Sequence, residues 1–185
     1  MIKIRNSLTE EKINEERSNR RFLLWLMTVV AIAYAFIIIF TQMFLRVEVS
    51  GDSMVPTLSD GDVLIVNKYR EIKRGDIVII NKGDKWVVKR VIALGGDTLE
   101  ITNGVVKVNG IVIDEDYILS KESTYPSVEE TKIKENEVYY LGDNRGGSYD
   151  SRREGPCKLD DVLGVVSNFS LKIRINVKEK NIDIL

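Results

Sequence analysis

Residues 22–45, FLLWLMTVVAIAYAFIIIFTQMFL, carry no charged side chain. At 1.5 Å of rise per residue such a run makes a helix of roughly 36 Å, enough to cross a hydrocarbon layer of about 30 Å with some tilt. A helix in the core of a soluble protein keeps a polar face, and this run has none. Ala31, Ala33 and Ala35 provide the small-x-small spacing of a cleavable secretory signal. The apolar stretch continues past Ala35 to Leu45, however, so a bond cut there would lie deep in the bilayer. The pattern predicts an uncleaved anchor.

Basic residues orient it. Lys3, Arg5, Lys12, Arg17, Arg20 and Arg21 precede the run, whereas Arg46 is alone among the twenty residues that follow. An excess of Lys and Arg marks the cytoplasmic side. The expected division is therefore a short polar cytoplasmic tail at 1–21, a membrane anchor at 22–45, and an extracytoplasmic domain at 46–185.

That domain reads as mainly β. Val47–Val49, Asp62–Val66, Ile77–Ile80, Trp86–Leu94, Val105–Val108, Ile111–Ile113, Val138–Leu141 and Val162–Phe169 are short runs rich in Val and Ile, bounded by Gly, Asp and Asn. Asn103-Gly104 and Asn109-Gly110 separate such runs, a strong signal for tight hairpins. No segment has the length and 3.6-residue period of a substantial helix. An antiparallel β-sheet domain behind one membrane helix is the expected fold.

Composition then limits the chemistry. The chain has no histidine, which excludes a Ser-His-Asp triad, a Cys-His dyad and the common zinc sites. A single cysteine, Cys157, supplies neither an internal disulfide nor a thiolate cage. With 27 basic and 28 acidic side chains there is no electrostatic footprint for nucleic acid. No metal and no cofactor is expected.

Three clusters could carry chemistry. The first is SGDSMVPTL at 50–58, where Ser53 lies in a turn-rich segment three residues before Pro56. Such a turn exposes a hydroxyl and frees backbone N–H groups for an oxyanion, although an ordinary Ser turn has the same composition. In the second, WVVKRVIAL at 86–94, strand alternation puts Lys89 on one face with Val87 and Val91, and Arg90 on the other with Val88 and Ile92. A lysine among valines loses its proton more easily and can serve as a base; a solvated edge-strand lysine is the alternative. The third, LGDNRGGSYDSR at 141–152, is a glycine-rich loop holding two aspartates and two arginines. Its carboxylates lack the spacing of an EF-hand, and a loop held by Asp–Arg pairs explains it equally well.

In this order the clusters resemble the type I signal peptidases, serine-lysine enzymes that remove signal peptides from exported proteins. GDVLIVNK (61–68), RGDIVI (74–79), VVKRVIALGGD (87–97) and GDNRGGSYDSR (142–152) match the family's segments alongside SGDSMVPTL. The compact chain with one anchor is similar to the Gram-positive form, which implies a bacterial cell membrane. The resemblance implies Ser53 as nucleophile and Lys89 as the unprotonated base, with the Ser53 N–H as one oxyanion donor. Some relatives carry a second hydroxyl donor two residues earlier, where this chain has Gly51. It further implies that Ser148 hydrogen-bonds the lysine and that Asp143, Arg145, Asp150 and Arg152 support the site, Asp143 as partner of Arg90.

Substrates of the family end their signal in small-x-small, and Val49, Gly51, Met54, Leu58 and Val88 are the candidates for binding them here. The implied partners are secretory preproteins, membrane lipid and the export machinery, with a monomer as the default. The other readings are a dedicated relative serving a pilus or one exported substrate, and a non-catalytic assembly relative, which would lack Ser53 or Lys89. Soluble self-cleaving repressors share the Ser-Lys pair but carry a DNA-binding domain where this chain has its apolar run. The reticulum enzymes of eukaryotes carry histidine in place of the lysine.

Overall fold

The computed structural model describes residues 2–118, 120 and 125–167. They form two units, an N-terminal helix and a β unit that begins at Phe44.

Helix α1 spans Ile2–Met43, so the polar leader and the apolar run share one continuous helix. The stretch Glu15–Met43 is long and apolar enough to cross a membrane. The sequence reading carries the helix through Leu45, but it ends two residues earlier, at Met43. Phe44 and Leu45 instead open strand β1 (Phe44–Glu48), which pairs antiparallel with β2 (Val63–Asn67), Leu45 facing Val66. Ladder hydrogen bonds and packing of Leu45 against the core cluster of Val49, Met54, Leu64 and Val66 override the helical tendency of the apolar run.

The strands that follow are β3 (Ile77–Asn81), β4 (Trp86–Leu94), β5 (Thr98–Thr102), β6 (Val105–Val108), β7 (Ile111–Val112), β8 (Val128–Lys132), β9 (Glu137–Leu141), β10 (Cys157–Lys158) and β11 (Val162–Val166). Seven strands make one antiparallel sheet in the order β1-β2-β11-β3-β4-β9-β10, and four make a second in the order β7-β6-β5-β8. The chain is thus mainly β, as the alternating pattern predicts. The run read as Val162–Phe169 is strand to Val166; Asn168 and Phe169 lie outside the described residues.

The two Asn-Gly pairs form the turns between β5 and β6 and between β6 and β7. Asn103, Gly104, Asn109 and Gly110 all have φ between 52° and 79°, the left-handed pair that closes a two-residue hairpin with the correct twist.

The central strand β4 is flanked by β3 and β9, with Lys89 opposite Val78 and Arg90 opposite Leu141. Val88 packs on the Met54 cluster, whereas Val87 and Val91 pack with Val78 and Tyr140. Period-two alternation therefore commits Lys89 to the second of these faces, in the middle of a sheet where water has little access. After β9 the chain makes a loop and a single helical turn, α2 (Ser151–Glu154), capped by the Asp150 side chain, which accepts from the Arg152 N–H.

Candidate active site

Ser53 sits in the turn between β1 and β2. Four backbone features hold that turn. Gly51 has φ of +87°, and its N–H donates to Asp60 Oδ1 at 2.7 Å. Val55 N–H donates to the Asp52 carbonyl at 3.2 Å, and Leu58 N–H to that of Met54 at 2.9 Å. Met54 and Leu58 are buried in the core and pin the turn from below. Gly51 occupies a conformation that an L-residue adopts only with strain.

Lys89 Nζ and Ser53 Oγ are 2.8 Å apart in a hydrogen bond. The lysine is only 4% exposed. Burial lowers its pKa from the ordinary 10.5, while the charges of Asp150, Glu154 and Asp143 oppose that shift. Desolvation prevails because an ammonium loses more hydration on burial than these partly neutralised carboxylates return. A neutral amine in contact with a serine hydroxyl can take its proton as the oxygen attacks a carbonyl. The Ser53 N–H is engaged by no other described residue, which leaves it free to donate to an oxyanion. Cys157, in contrast, is buried and its thiol is pushed up to about 11 by burial, so it offers no thiolate.

The loop 142–152 closes over this pair. Asn144 clamps the nucleophile turn: its backbone N–H donates to the Ser53 carbonyl at 3.1 Å and its side-chain Nδ2 to that of Asp52 at 3.1 Å. Asp143 accepts from Arg90 Nε at 2.8 Å and Nη2 at 2.6 Å, and from Thr57 Oγ1 at 2.5 Å. Arg152 holds both Asp150 oxygens at 2.8 Å and also donates to the carbonyls of Tyr125 and Arg145. Burial resists ionisation of Asp150, but the hydrogen bonds from Arg152 and the Gly142 N–H hold its carboxyl below the usual range. Arg145 is paired with Glu115, both side chains buried, and donates to the Gly142 carbonyl at 3.1 Å.

Ser148 is buried against Gly142 but makes no hydrogen bond to Lys89; its hydroxyl is directed to Asp150, whose carboxyl it helps to hold below the usual range. The amine is instead engaged by Ser53.

Two clefts meet at Ser53 and Lys89. One, of about 420 Å³, is walled by Val47, Val49, Met54, Trp86, Val87 and Val88 together with Glu48, Ser50 and Lys85. The other, of about 530 Å³, runs past Gly51, Asp52, Lys82, Asp84, Lys85, Gly147, Tyr149 and Glu154. Of the sequence-selected binding residues, Val49, Met54 and Val88 line the first cleft and Gly51 the second. Leu58 lines neither; it is 6% exposed and packs in the core beneath Ser53. The described residues contain no group of His, Cys, Asp and Glu able to hold a metal ion.

Sequence reasoning missed Thr57, Glu115, Tyr117, Asn144 and Glu154. Thr57 and Asn144 lie inside the segments already singled out, and their turn-forming character was the only available signal. Glu115 and Tyr117 stand in IDEDY, outside the three clusters. In the fold Tyr117 stacks on the Arg90 guanidinium at 3.9 Å and bonds Glu115 at 3.1 Å, joining two of the ion pairs.

Comparison with known proteins gives the family. The family model described as signal peptidase, peptidase S26, matches residues 20–170. Signal peptidase I S of Bacillus subtilis is 34% identical over 158 residues, 78% of this chain and 84% of the relative. Signal peptidase I of Bacillus amyloliquefaciens is 39% identical over 158 residues, 78% of this chain and 81% of the relative. A solved signal peptidase I from Enterococcus faecalis V583 aligns over 53% of this chain and 98% of its own at 28% identity, with a TM-score of 0.46. An extended family match across the β unit and its anchor segment thus joins a Ser-Lys pair with no histidine in the chain, and the protein belongs to the signal peptidase family, peptidase S26.

Proposed function

We propose that this chain is a membrane-anchored serine endopeptidase that removes N-terminal signal peptides from exported preproteins, with Ser53 as nucleophile and Lys89 as general base. The observation that carries the assignment is the 2.8 Å contact between Ser53 Oγ and a buried Lys89 amine. Lys89 takes the hydroxyl proton as Ser53 attacks the scissile carbonyl, and the Ser53 N–H donates to the oxyanion. The protonated lysine then delivers its proton to the leaving amine. Water, activated by the same amine, hydrolyses the acyl-enzyme.

Gly51 has no side chain to add a second oxyanion donor, and its own N–H is committed to Asp60; the second donor is therefore water or another backbone group. The cleft walled by Val47, Val49, Met54 and Val88 suits alanine-sized residues before the bond. An extended substrate lying along the sheet obtains register from main-chain hydrogen bonds. The apolar part of α1 supports membrane anchoring, and the excess of Lys and Arg before residue 22 supports a cytoplasmic N-terminus with the β unit outside. Membrane lipid and the export machinery are the partners this location implies.

The deciding experiment is cleavage of a preprotein whose signal ends in Ala-x-Ala. Ser53→Ala and Lys89→Ala should each remove activity while leaving the circular dichroism spectrum unchanged. Normal turnover by either folded variant overturns the dyad.

A further inference from the structure

A peptide held with its scissile carbonyl at Ser53 extends in two directions, and two clefts leave that point. They differ in chemistry. The first is walled mainly by Val47, Val49, Met54, Val87 and Val88, with Glu48 and the shared Lys85 at its border, and suits the small residues before the bond. The second is bordered by Lys82, Asp84 and Lys85 at the β3–β4 hairpin, by Asp52 of the nucleophile turn, and by Tyr149 and Glu154 across from them.

Its charges are unevenly committed. Lys82 lies 3.2 Å from Glu154 Oε1 and 4.9 Å from the centre of the Tyr140 ring. Tyr140 also donates its hydroxyl to Glu154 Oε1 at 2.6 Å. Both contacts fall on one oxygen, which leaves Oε2 able to accept from a ligand. With Lys82 occupied, Lys85 is the remaining cation at this cleft against Asp84 and Asp52. Tyr149 is 62% exposed and presents an aromatic face at the rim.

We infer that this second cleft is the subsite for the first residues of the released chain, and that Glu154 with Asp84 makes it favour a cationic or hydrogen-bond-donating side chain and reject a carboxylate within the first three positions after the bond. Hydrogen bonding to a partly desolvated carboxylate rewards a donor, while a second carboxylate brought beside it is repelled. The inference rests on the Ser53–Lys89 reading of the site.

The test uses the full-length enzyme in detergent micelles and peptides sharing one Ala-x-Ala sequence, with Lys, Gln or Glu placed in turn at each of the first three positions after the bond. The wild-type enzyme should cleave the Lys peptide about tenfold better than the Glu peptide, in kcat/KM, at one of these positions at least. Glu154→Gln should bring that ratio within threefold of unity. Glu154 also acts on Lys89, but that effect changes the rate for all peptides alike and cancels in the ratio. Asp84→Asn, on the exposed hairpin tip, provides an independent reading if Glu154→Gln does not fold, and should reduce the ratio about threefold. A wild-type ratio near unity at all three positions, or a ratio unchanged in both folded variants, overturns the subsite. Failure of the wild-type enzyme to cut after Ala-x-Ala, or activity in Ser53→Ala, overturns instead the assignment on which it rests.

Discussion

Gly142 lies where the loop after β9 passes between Ser148 and the nucleophile turn. A Cβ at this position would sit 2.3 Å from Ser148 Oγ, 2.5 Å from Ser148 Cβ and 2.5 Å from the Ser53 carbonyl oxygen. Ordinary contact begins near 3.4 Å, so relief of Gly142→Ala requires a displacement of about 1 Å. The Ser53 oxygen is a backbone atom already bonded to Asn144 N–H, and Ser148 is buried, so the displacement cannot be absorbed by a free side chain. Overpacking of this kind costs roughly 1–3 kcal/mol of stability. A misplacement of about 1 Å in a catalytic group lowers turnover on the order of 100-fold, equivalent to about 2.7 kcal/mol in the barrier.

Gly142→Ala should therefore remain folded, with a thermal midpoint reduced by several degrees, and should lose about 100-fold in kcat/KM on an Ala-x-Ala peptide. Gly147→Ala is the matched control. Its added Cβ meets the Asn144 side chain first, 2.7 Å from Nδ2, and relief costs at most that group's hydrogen bond to the Asp52 carbonyl and leaves the Ser53 backbone in place, so the loss should stay below about tenfold. Activity of Gly142→Ala within threefold of wild type, with an unchanged midpoint, would refute the claim that close backbone approach positions the nucleophile.

Two further outcomes concern stability. Because burial lowers the pKa of Lys89 in the folded chain, the unfolded chain binds the extra proton, and the stability lost to this group is greatest below the folded pKa and disappears as pH rises towards 10.5. Lys89→Met should thus be more stable than wild type in urea unfolding at pH 7, with the gain shrinking at alkaline pH; a gain independent of pH would contradict the burial argument. Glu115→Ala removes the carboxylate from a buried guanidinium and should destabilise by about 3–5 kcal/mol, whereas Glu115→Met with Arg145→Met should recover most of that loss in the same assay.

The fold was legible where a strand has its own pattern. Trp86–Leu94 and Val105–Val108 are bounded in the structure where their alternation begins and ends, and the Asn-Gly pairs turn because their backbones accept positive φ. β5 and β8 were not legible. Thr98–Thr102 has only Leu99 and Ile101 to bury, and Val128–Lys132 is mostly exposed; each is a strand because its neighbour offers a ladder. Phe44 and Leu45 left the apolar helix for the same reason.

At the site, residue identity was readable but direction was not. Leu58 is as apolar as Met54, and nothing in SGDSMVPTL says which one faces a cleft and which one only the core. Glu115 reads as a surface acid because the arginine that neutralises it lies thirty positions away in sequence. The hydroxyl of Ser148 carries a role by resemblance, yet in the fold it acts on Asp150 rather than on Lys89.

A neutral lysine is an awkward base to keep beside so many carboxylates. Asp150, Glu154 and Asp143 each favour the ammonium form of Lys89, while burial and Arg152 oppose it. Asp143 is bound by Arg90, Asp150 by Arg152 and Glu115 by Arg145. Arg90 and Arg152 thus do more than brace a loop: each occupies a carboxylate that would otherwise attract a proton to the base. Only the neutral amine accepts the Ser53 proton, so kcat/KM should rise with pH as Lys89 deprotonates below 10.5. Arg152→Met leaves the charge of Asp150 uncompensated near the amine, and the rising limb should move to higher pH in the fraction that remains folded. A purely structural role for Arg152 predicts lower stability with the limb in place; a limb that stays or moves to lower pH would refute the electrostatic one.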